Sequence, residues 1–368
     1  MQPFNPPQRT LMGPGPSEVH QNVYQALSKP TIGHLDPEFL RLMNEVQVML
    51  RAVFQTKNQL TIPVSGTGSA GMETLFVNFL EPGDKVVVCV NGVFGTRMAD
   101  VAARCGATVV EVKAEWGTAI NPADIEVALT QHPDTKLLAI VHAETSTGVL
   151  QPMDEVAELA KKHDVLLLLD AVTSLAGVPV ELDQWGVDGC YSGTQKCLSC
   201  PPGLAPISVS DRGLQLIRNR TTKPQSWYLD LSMVANYWTV GNRAYHHTAP
   251  INMNYALHQA LRLVLDEGLE ARFKRHCENS EYLWQELEKL GLERFVDASI
   301  ALPQLNVVKV PKGVDEAGVR ARLLNEFGIE IGAGLGPMAG EIWRIGLMGE
   351  SSRPSIIDQL IVALKQVL

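Results

Sequence analysis

Short apolar runs alternate with helical periodicities through the first half of the chain. Five runs have the length of buried strands: Leu60–Val64, Val86–Val90, Thr108–Val112, Leu137–His142 and Val165–Leu169. Four stretches between them have helical character: Met72–Leu80, Thr96–Arg104, Pro122–Leu129 and Asp154–Lys162. Strands that are apolar throughout and separated by helices indicate an α/β fold with a mostly parallel sheet covered on both faces.

The pattern changes after residue 217. Residues 218–252 are rich in Trp, Tyr, Asn and His with weak periodicity, which predicts a loop-rich surface. Helices are predicted over Met253–Glu267 and Leu269–Leu290, and strand-like runs follow at Asn306–Val310 and Trp343–Leu347. We expect a large domain over residues 21–267 and a smaller α+β domain over 268–368.

Residues 1–20 form a separate N-terminal arm in this interpretation. They contain five prolines, which exclude a helix or a central strand. An arm of this kind gains order by lying on another surface, such as that of a second subunit.

Composition excludes several classes of protein. The 368 residues are 45% hydrophobic, enough for a large core, and 31 basic against 40 acidic residues give a net charge of −9. An acidic chain without a basic block disfavours nucleic acid as a partner, because phosphates need a basic face. No apolar run reaches membrane-spanning length and the first residues lack a signal-peptide core, so we expect a cytoplasmic protein with no membrane partner and six reduced cysteines.

A glycine-rich segment, Ser65-Gly66-Thr67-Gly68-Ser69-Ala70-Gly71, lies between a predicted strand and a predicted helix. A turn of this kind that opens a helix binds anions through free backbone N–H groups. The glycines fit the dinucleotide fingerprint of a dehydrogenase, but that site also needs an acid after the next strand. That strand ends in Asn91-Gly92, so a phosphate site of another kind is favoured over an NAD site.

Two further residues, Asp170 and Lys196, have side chains that can act together with a phosphate site. Asp170 directly follows an apolar strand, at the sheet edge where open α/β folds bind ligands. Lys196 lies 26 residues later in a turn of small polar residues, where desolvation favours Schiff-base formation with an aldehyde. A phosphate cradle, a lysine and an acid together are what pyridoxal 5'-phosphate requires.

At this point a family resemblance is visible. The chain resembles the class V aminotransferases of the pyridoxal-phosphate-dependent fold type I superfamily, most closely the alanine/serine–glyoxylate (serine–pyruvate) aminotransferases. The resemblance covers nearly the whole chain and rests on motifs in order: LMGPGPS, SGTGSAGMETLFVNFLEPGD, HAETSTGVLQP, LLLLDAVTSLAG, YSGTQK, RAYHHTAP and GIEIGAGLGP with WRIGLMG.

The resemblance implies a role for each matching residue. Lys196 is the Schiff-base lysine and proton shuttle, and Asp170 holds the proton on the ring nitrogen. The implied cofactor contacts are Thr67, Gly68, Ser69 and Gln195 at the phosphate, Phe94 and Val172 at the ring, and Thr145 near the ring oxygen. Gly15 and Arg344 bind substrate, Arg344 through a bidentate pair with the carboxylate. Tyr245 and Thr248 reach the phosphate of the partner subunit's cofactor, which implies a homodimer with shared sites.

The implied reaction is transamination from alanine or serine to glyoxylate or pyruvate. Two departures leave the donor open, since Phe94 stands where human-type members have Trp and Ser69 where they have His. Ureidoglycine–glyoxylate aminotransferase is an alternative, because Asn252 and Asn254 could bind a polar donor.

Other classes of function fit less well. A cysteine desulfurase needs a cysteine on a C-terminal loop, and the last cysteine here is Cys277, on a predicted helix. A protein that merely binds the cofactor has no use for both Lys196 and Arg344. We expect no metal, because Cys197-x-x-Cys200 lacks a second pair and His246-His247 lacks a third ligand.

Overall fold

The computed structural model describes residues 1–239, 241 and 243–368. The strands are β1 (Thr10–Leu11), β2 (Leu60–Ser65), β3 (Lys85–Val90), β4 (Thr108–Lys113), β5 (Thr135–Val141), β6 (Ala143–Glu144), β7 (Val149–Leu150), β8 (Leu166–Asp170), β9 (Gly189–Tyr191), β10 (Leu204–Val209), β11 (Leu305–Lys309), β12 (Ile329–Glu330), β13 (Gly332–Ala333) and β14 (Ile342–Gly346). The helices are α1 (Gln21–Leu27), α2 (Pro37–Val53), α3 (Gly68–Phe79), α4 (Val93–Arg104), α5 (Pro122–Gln131), α6 (Asp154–Lys162), α7 (Leu182–Trp185), α8 (Asp211–Arg218), α9 (Leu231–Trp238), α10 (Ile251–Glu267), α11 (Leu269–Lys289), α12 (Glu316–Phe327) and α13 (Pro354–Val367).

A seven-stranded sheet forms the centre of the molecule, in the order β2-β10-β9-β8-β5-β3-β4. Strand β10 runs antiparallel to both of its neighbours, and the other adjacent pairs are parallel. The predicted mostly parallel α/β sheet is thus confirmed. The sequence pattern did not identify β9 and β10, because β9 has three residues and β10 is interrupted by Pro206.

The register of the sheet brings the ends of distant strands to one edge. Asp170, the last residue of β8, pairs with Val141 of β5 on one side and with Tyr191 of β9 on the other. Strand β2 runs in the same direction as β9, since both are antiparallel to β10, which lies between them. Its last residue, Ser65, therefore lies at the same edge of the sheet. A crevice at the carboxyl ends of parallel strands is the usual ligand site of open α/β sheets.

Alternate side chains of each strand enter different cores. Leu167 and Leu169 of β8 pack in one apolar cluster with residues of α6 and α10. Leu166 and Leu168 pack on the opposite face with residues of α3 and α4. Both faces of β8 are therefore buried, which explains why its sequence is a continuous leucine run.

The C-terminal part has its own antiparallel sheet, in the order β11-β14-β13. A third apolar cluster lies against it and includes Trp343 of β14 and the inner face of α13. Met12 is fully buried in this same cluster.

The N-terminal segment is ordered by contacts within its own chain. Strand β1 pairs in parallel with β12, with Thr10 beside Ile329 and Leu11 beside Glu330. The surface on which residues 10–12 of the predicted arm lie is thus the C-terminal part of the same chain. Residues 1–9 are exposed.

Two predicted boundaries also differ from the structure. Helix α3 begins at Gly68 rather than Met72, because its first turn is made of glycine and small residues without apolar periodicity. The expected loop-rich stretch 218–252 contains helix α9. Within the described residues, no helix is long and apolar enough to cross a bilayer.

Candidate active site

Asp170 occupies the centre of the crevice at the sheet edge. It is 3% exposed, and its Oδ1 accepts a hydrogen bond from Val172 N at 2.8 Å while Oδ2 accepts one from Tyr191 Oη at 2.6 Å. Burial raises the pKa of Asp170 to about 6, and the two hydrogen bonds oppose that rise. The carboxyl group is fixed in position and can hold a proton near neutral pH.

Lys196 lies across the crevice from Asp170 and is covered by the N-terminal segment. Its Nζ donates to the carbonyl oxygen of Pro14, and its backbone oxygen accepts from Ser17 Oγ at 2.7 Å. Gly15 has φ +110°, and a Cβ at this position would lie 2.6 Å from Nζ, so only glycine leaves room for the amine. Burial, followed by the charge of Arg344, lowers the pKa of Lys196 from 10.5 to about 8.

The glycine-rich turn opens α3 toward the same crevice. Thr67 precedes the helix without a side-chain capping bond, and within the described residues the N–H groups of Gly68 and Ser69 have no hydrogen-bond partner, whereas that of Ala70 donates to Thr67 O at 2.7 Å. A Cβ on Gly68 would lie 3.4 Å from Val172 and 3.6 Å from the backbone oxygen of Ser192, so the turn sits tightly against the strand ends. The arrangement is an anion site beside Asp170.

Phe94 forms one wall of the crevice, and its backbone N–H donates to the buried carboxylate of Glu144. Glu144 is fully buried, and its Oε2 accepts from the backbone N–H groups of Phe94 and Gly95 at 3.1 and 3.3 Å. Its Oε1 accepts from Ser146 Oγ at 2.5 Å. Burial raises the pKa of Glu144, and these donors oppose the rise. The guanidinium of Arg97 lies 5.0 Å from the centroid of the Phe94 ring.

Arg344 approaches from the C-terminal sheet. It is 6% exposed, and its Nη1 donates to Thr145 O at 3.0 Å while its Nε donates to Ala333 O at 2.7 Å. Two backbone carbonyls therefore fix the plane of the guanidinium without neutralising its charge. Burial lowers the pKa of Arg344 to about 10, and the charge of Glu144 opposes this.

Most of the residues singled out in the sequence line one cavity of about 160 Å³. Its lining contains Thr67, Gly68, Ser69, Met72, Phe94, Arg97, Asp170, Val172, Tyr191, Gln195 and Lys196. Gly15, Thr145 and Arg344 are not part of this lining: Gly15 packs against Lys196, Arg344 bonds to Thr145 O, and the charge of Arg344 acts on Lys196. Tyr245 and Thr248 are exposed and do not line the cavity of their own chain, and their hydroxyl groups lie 3.4 Å apart.

The cavity fits a planar aldehyde that carries a phosphate. The open α3 terminus and the hydroxyls of Thr67 and Ser69 suit the phosphate, and the buried Lys196 amine suits the aldehyde. Gln195 Oε1 is buried with no hydrogen-bond partner among the described residues. Rotation of the side-chain amide by 180° would place its NH2 group at this position, where it could donate to a bound phosphate.

Comparison with known proteins agrees with this geometry. The aminotransferase class-V family matches residues 15–348. The chain belongs to the class V aminotransferases. It is similar to the alanine–glyoxylate aminotransferase of Felis catus, with 41% identity over 100% of this chain and 89% of the relative. Family membership implies pyridoxal phosphate as the cofactor.

Solved structures of class V aminotransferases share the whole fold. The alanine–glyoxylate aminotransferase from Nostoc sp. superimposes with a TM-score of 0.98 at 50% identity, over 100% of this chain and 97% of that one. The ureidoglycine–glyoxylate aminotransferase from Bacillus subtilis also gives a TM-score of 0.98, at 41% identity over 100% of this chain and 94% of that one.

Sequence reasoning missed several residues of the site. Tyr191 and Glu144 belong to the motifs YSGTQK and HAETSTG, but the sequence pattern indicates no role for either of them or for Arg97. Asn252, expected to be available to a donor, instead bonds to Thr31 and to the backbone oxygens of residues 27 and 29.

Proposed function

We propose that this class V aminotransferase uses pyridoxal phosphate to move an amino group from alanine or serine to glyoxylate or pyruvate. The observation that carries this proposal is a desolvated Lys196 amine that lines one cavity with Asp170 and is near enough to Asp170 and Arg344 for both charges to act on it. When bound, the cofactor supplies an aldehyde and an electron-withdrawing ring.

Each residue has a defined task in this proposal. The α3 terminus, Thr67, Ser69 and Gln195 bind the phosphate. Asp170 holds a proton at the ring nitrogen, and Phe94 and Val172 pack against the faces of the ring, with Thr145 near its oxygen.

Arg344 and Lys196 act on the substrate. The planar guanidinium pairs with the substrate carboxylate, which fixes the direction of the Cα–H bond. The Lys196 amine would accept that proton at Nζ and pass it to the former aldehyde carbon of the cofactor, which the amino nitrogen separates from Cα. Gly15 leaves the space through which the amine and the substrate approach each other.

The names of the relatives support glyoxylate as the acceptor, since it appears for the Felis catus, Nostoc and Bacillus subtilis proteins alike. The donor differs between alanine and ureidoglycine in these names. We favour a small donor, because the side-chain amide of Asn252 is fully used within the chain and Asn254 is fully buried outside the cavity lining, with its Nδ2 donating to Pro250 O.

We further propose a homodimer in which Tyr245 and Thr248 serve the partner's site. Their exposure outside their own cavity supports this arrangement. Cytoplasmic location remains a proposal from the sequence, which expression of a fluorescent fusion would test.

Activity with defined donors tests the reaction. The purified protein loaded with pyridoxal phosphate is given glyoxylate with alanine, serine, aspartate or ureidoglycine, and glycine formation is measured. We expect turnover with alanine or serine, and a loss of about a thousandfold in Lys196→Ala but none in Lys162→Ala, an exposed lysine paired with Glu126. Turnover with ureidoglycine alone would make the donor assignment wrong, and a protein that binds no cofactor would refute the whole proposal.

A further inference from the structure

The phenol of Tyr191 is the side-chain partner of Asp170. The two residues lie side by side in register at the ends of β9 and β8. Both are buried, at 1% and 3% exposure, and Tyr191 Oη donates to Asp170 Oδ2 at 2.6 Å. The other oxygen of the carboxyl group, Oδ1, accepts a hydrogen bond from the N–H of Val172.

The backbone around this pair is fixed as well. The N–H of Ala171 donates to the backbone oxygen of Tyr191 at 2.9 Å, and Ser192 Oγ donates to the backbone oxygen of Ala171 at 2.9 Å. The turn after Asp170 is therefore attached to the end of β9 on both sides.

The side chains that surround the Tyr191 ring are apolar, so they offer its hydroxyl group no hydrogen-bond partner. The Tyr191 ring packs in an apolar cluster that includes Leu75, Leu168 and Ile207. A phenylalanine would satisfy all of that packing. The hydroxyl is the one part of the side chain that needs a polar partner, and Asp170 is the partner it has.

We propose that Tyr191 is a positioning residue that keeps the Asp170 carboxyl group ionised, so that the proton stays on the ring nitrogen of the bound cofactor. This inference rests on the proposed function. A donor to a carboxylate stabilises its charged form, and a buried phenol has no water to compete with it.

Several groups act on Asp170 in opposite directions. Burial and the nearby carboxyl group of Glu144 raise its pKa, whereas Tyr191, Val172 N–H and the charge of Lys196 lower it. The phenol cannot itself take the negative charge, since burial and Asp170 hold the pKa of Tyr191 well above its usual value. Tyr191 therefore stays a donor over the whole working range of pH.

Removal of the hydroxyl group shifts this balance toward the protonated carboxyl group. Asp170 would then keep the proton that it otherwise leaves on the ring nitrogen. The ring would withdraw electrons less strongly, and abstraction of the Cα proton by Lys196 would slow. Binding of the substrate carboxylate by Arg344 would be unaffected, because Arg344 is held by Thr145 O and Ala333 O.

The test compares Tyr191→Phe with Tyr282→Phe. Tyr282 is a matched control because its hydroxyl also donates to an aspartate, Asp358 Oδ1 at 2.5 Å, but at an exposed site outside the cavity. Infrared pH titration of the cofactor-free proteins follows the protonated-carboxyl band of Asp170, assigned by its loss in Asp170→Asn. Steady-state kinetics and equilibrium dialysis with pyridoxal phosphate follow on the same proteins.

In Tyr191→Phe we expect Asp170 to titrate at higher pH than in the wild type and the cofactor to dissociate more readily. We expect kcat to fall about tenfold, the effect of losing one hydrogen bond to a charged group, while KM for the amino donor changes less than about twofold. The acid limb of the pH profile should move to higher pH. Tyr282→Phe should leave all of these unchanged.

An unchanged titration of Asp170 would overturn the proposal, even with reduced activity, because the loss would then be structural. If Tyr191→Phe does not fold, a fluorinated tyrosine at the same position is a stronger donor of the same shape, and Asp170 must then titrate at lower pH. A wild-type protein without transaminase activity would refute the proposed function, whereas the infrared titration would still decide the link between Tyr191 and Asp170.

Discussion

At the scale of single residues, the site depends on charged groups that the fold removes from water. Lys196, Asp170 and Arg344 are each at most 8% exposed, and burial is the largest influence on the pKa of each. Desolvation moves Lys196 and Asp170 toward their neutral forms, so both can exchange protons near neutral pH. Arg344 keeps its charge because even its lowered pKa of about 10 lies above that range.

The lowered pKa of Lys196 predicts the pH dependence of cofactor attachment. The protonated amine has no lone pair for the aldehyde, so attachment to the cofactor-free protein should accelerate as pH rises and level off above about 8. Stopped-flow absorbance after addition of pyridoxal phosphate measures the rate. Lysine acetylated on its α-nitrogen serves as the control in solution, and its rate of attachment should continue to increase above about pH 8. A rate that also continues to increase above about pH 8 in the protein would contradict the prediction.

The planar guanidinium group of Arg344 predicts that the variant Arg344→Lys loses affinity for the substrate carboxylate. Lysine keeps the charge but cannot pair with both carboxylate oxygens or reach both backbone carbonyls. We expect kcat/KM for alanine to fall by about 10- to 100-fold with the protein still folded. Arg320→Lys is the control, since Arg320 pairs with Glu316 away from the cavity. Equal effects of the two changes would show that the fork has no role in binding.

Much of the site could be predicted at this scale because its groups follow strands directly in the sequence. Asp170 ends a leucine run, and Thr67, Gly68 and Ser69 follow β2. Tyr191 and Glu144 could not be assigned, because their partners depend on the register between strands that are far apart in the sequence. Local periodicity contains no information about such pairs.

At the scale of secondary-structure elements, Glu144 connects two of them. It belongs to β6 and binds the first-turn N–H groups of α4, so a carboxylate from one element caps the other. A buried negative charge at a helix N-terminus is favourable, and it fixes the position of Phe94 at the start of α4.

Glu144→Ala therefore should destabilise the protein more than loss of an ordinary helix cap. It leaves the N–H groups of Phe94, Gly95 and Ser146 and the Ser146 hydroxyl without their acceptor, which should lower the free energy of unfolding by about 2–4 kcal/mol. Asp36→Ala removes the exposed cap of α2 and should cost about 1 kcal/mol. Urea unfolding measures both, and a smaller effect for Glu144→Ala than for Asp36→Ala would count against the capping role.

Long elements were predictable and short ones were not. The limits of α6 agree at both ends, because acidic residues open the helix and lysines close it. The strand β9 escaped detection because three residues are too few to show a period, and the eight-residue helix α9 lies in a stretch that is rich in aromatic and Asn residues and was assigned to loop. Tertiary pairing with β8 and β10, not local propensity, makes β9 a strand.

At the scale of the whole molecule, a complete site is expected to need two chains. Tyr245 and Thr248 lie outside the cavity of their own chain, so their proposed contacts belong to a partner's cofactor. Shared sites of this kind allow complementation, because two different defects can be placed in different subunits.

Mixing two inactive variants therefore should restore activity. In a hybrid of Lys196→Ala with a Tyr245→Ala/Thr248→Ala chain, one site has an intact lysine and receives intact residues from the partner. Random reassembly of equal amounts should give about a quarter of wild-type activity, because half of the dimers are hybrids with one native site each. Mixing Lys196→Ala with Arg344→Ala is the control, since both defects lie in the same site, and no recovery in the first mixture would contradict shared sites.

The pairing of β1 with β12 also has a consequence for the order of synthesis. Residues 10–17 leave the ribosome more than 300 residues before residues 329–330, with which β1 pairs. The carbonyl of Pro14 covers Lys196 beside this pairing. A nascent chain can form the parallel strands but not the finished lysine pocket, because its cover joins contacts of very long sequence separation. Stable capture of the cofactor is thus an event that follows translation rather than one that guides it.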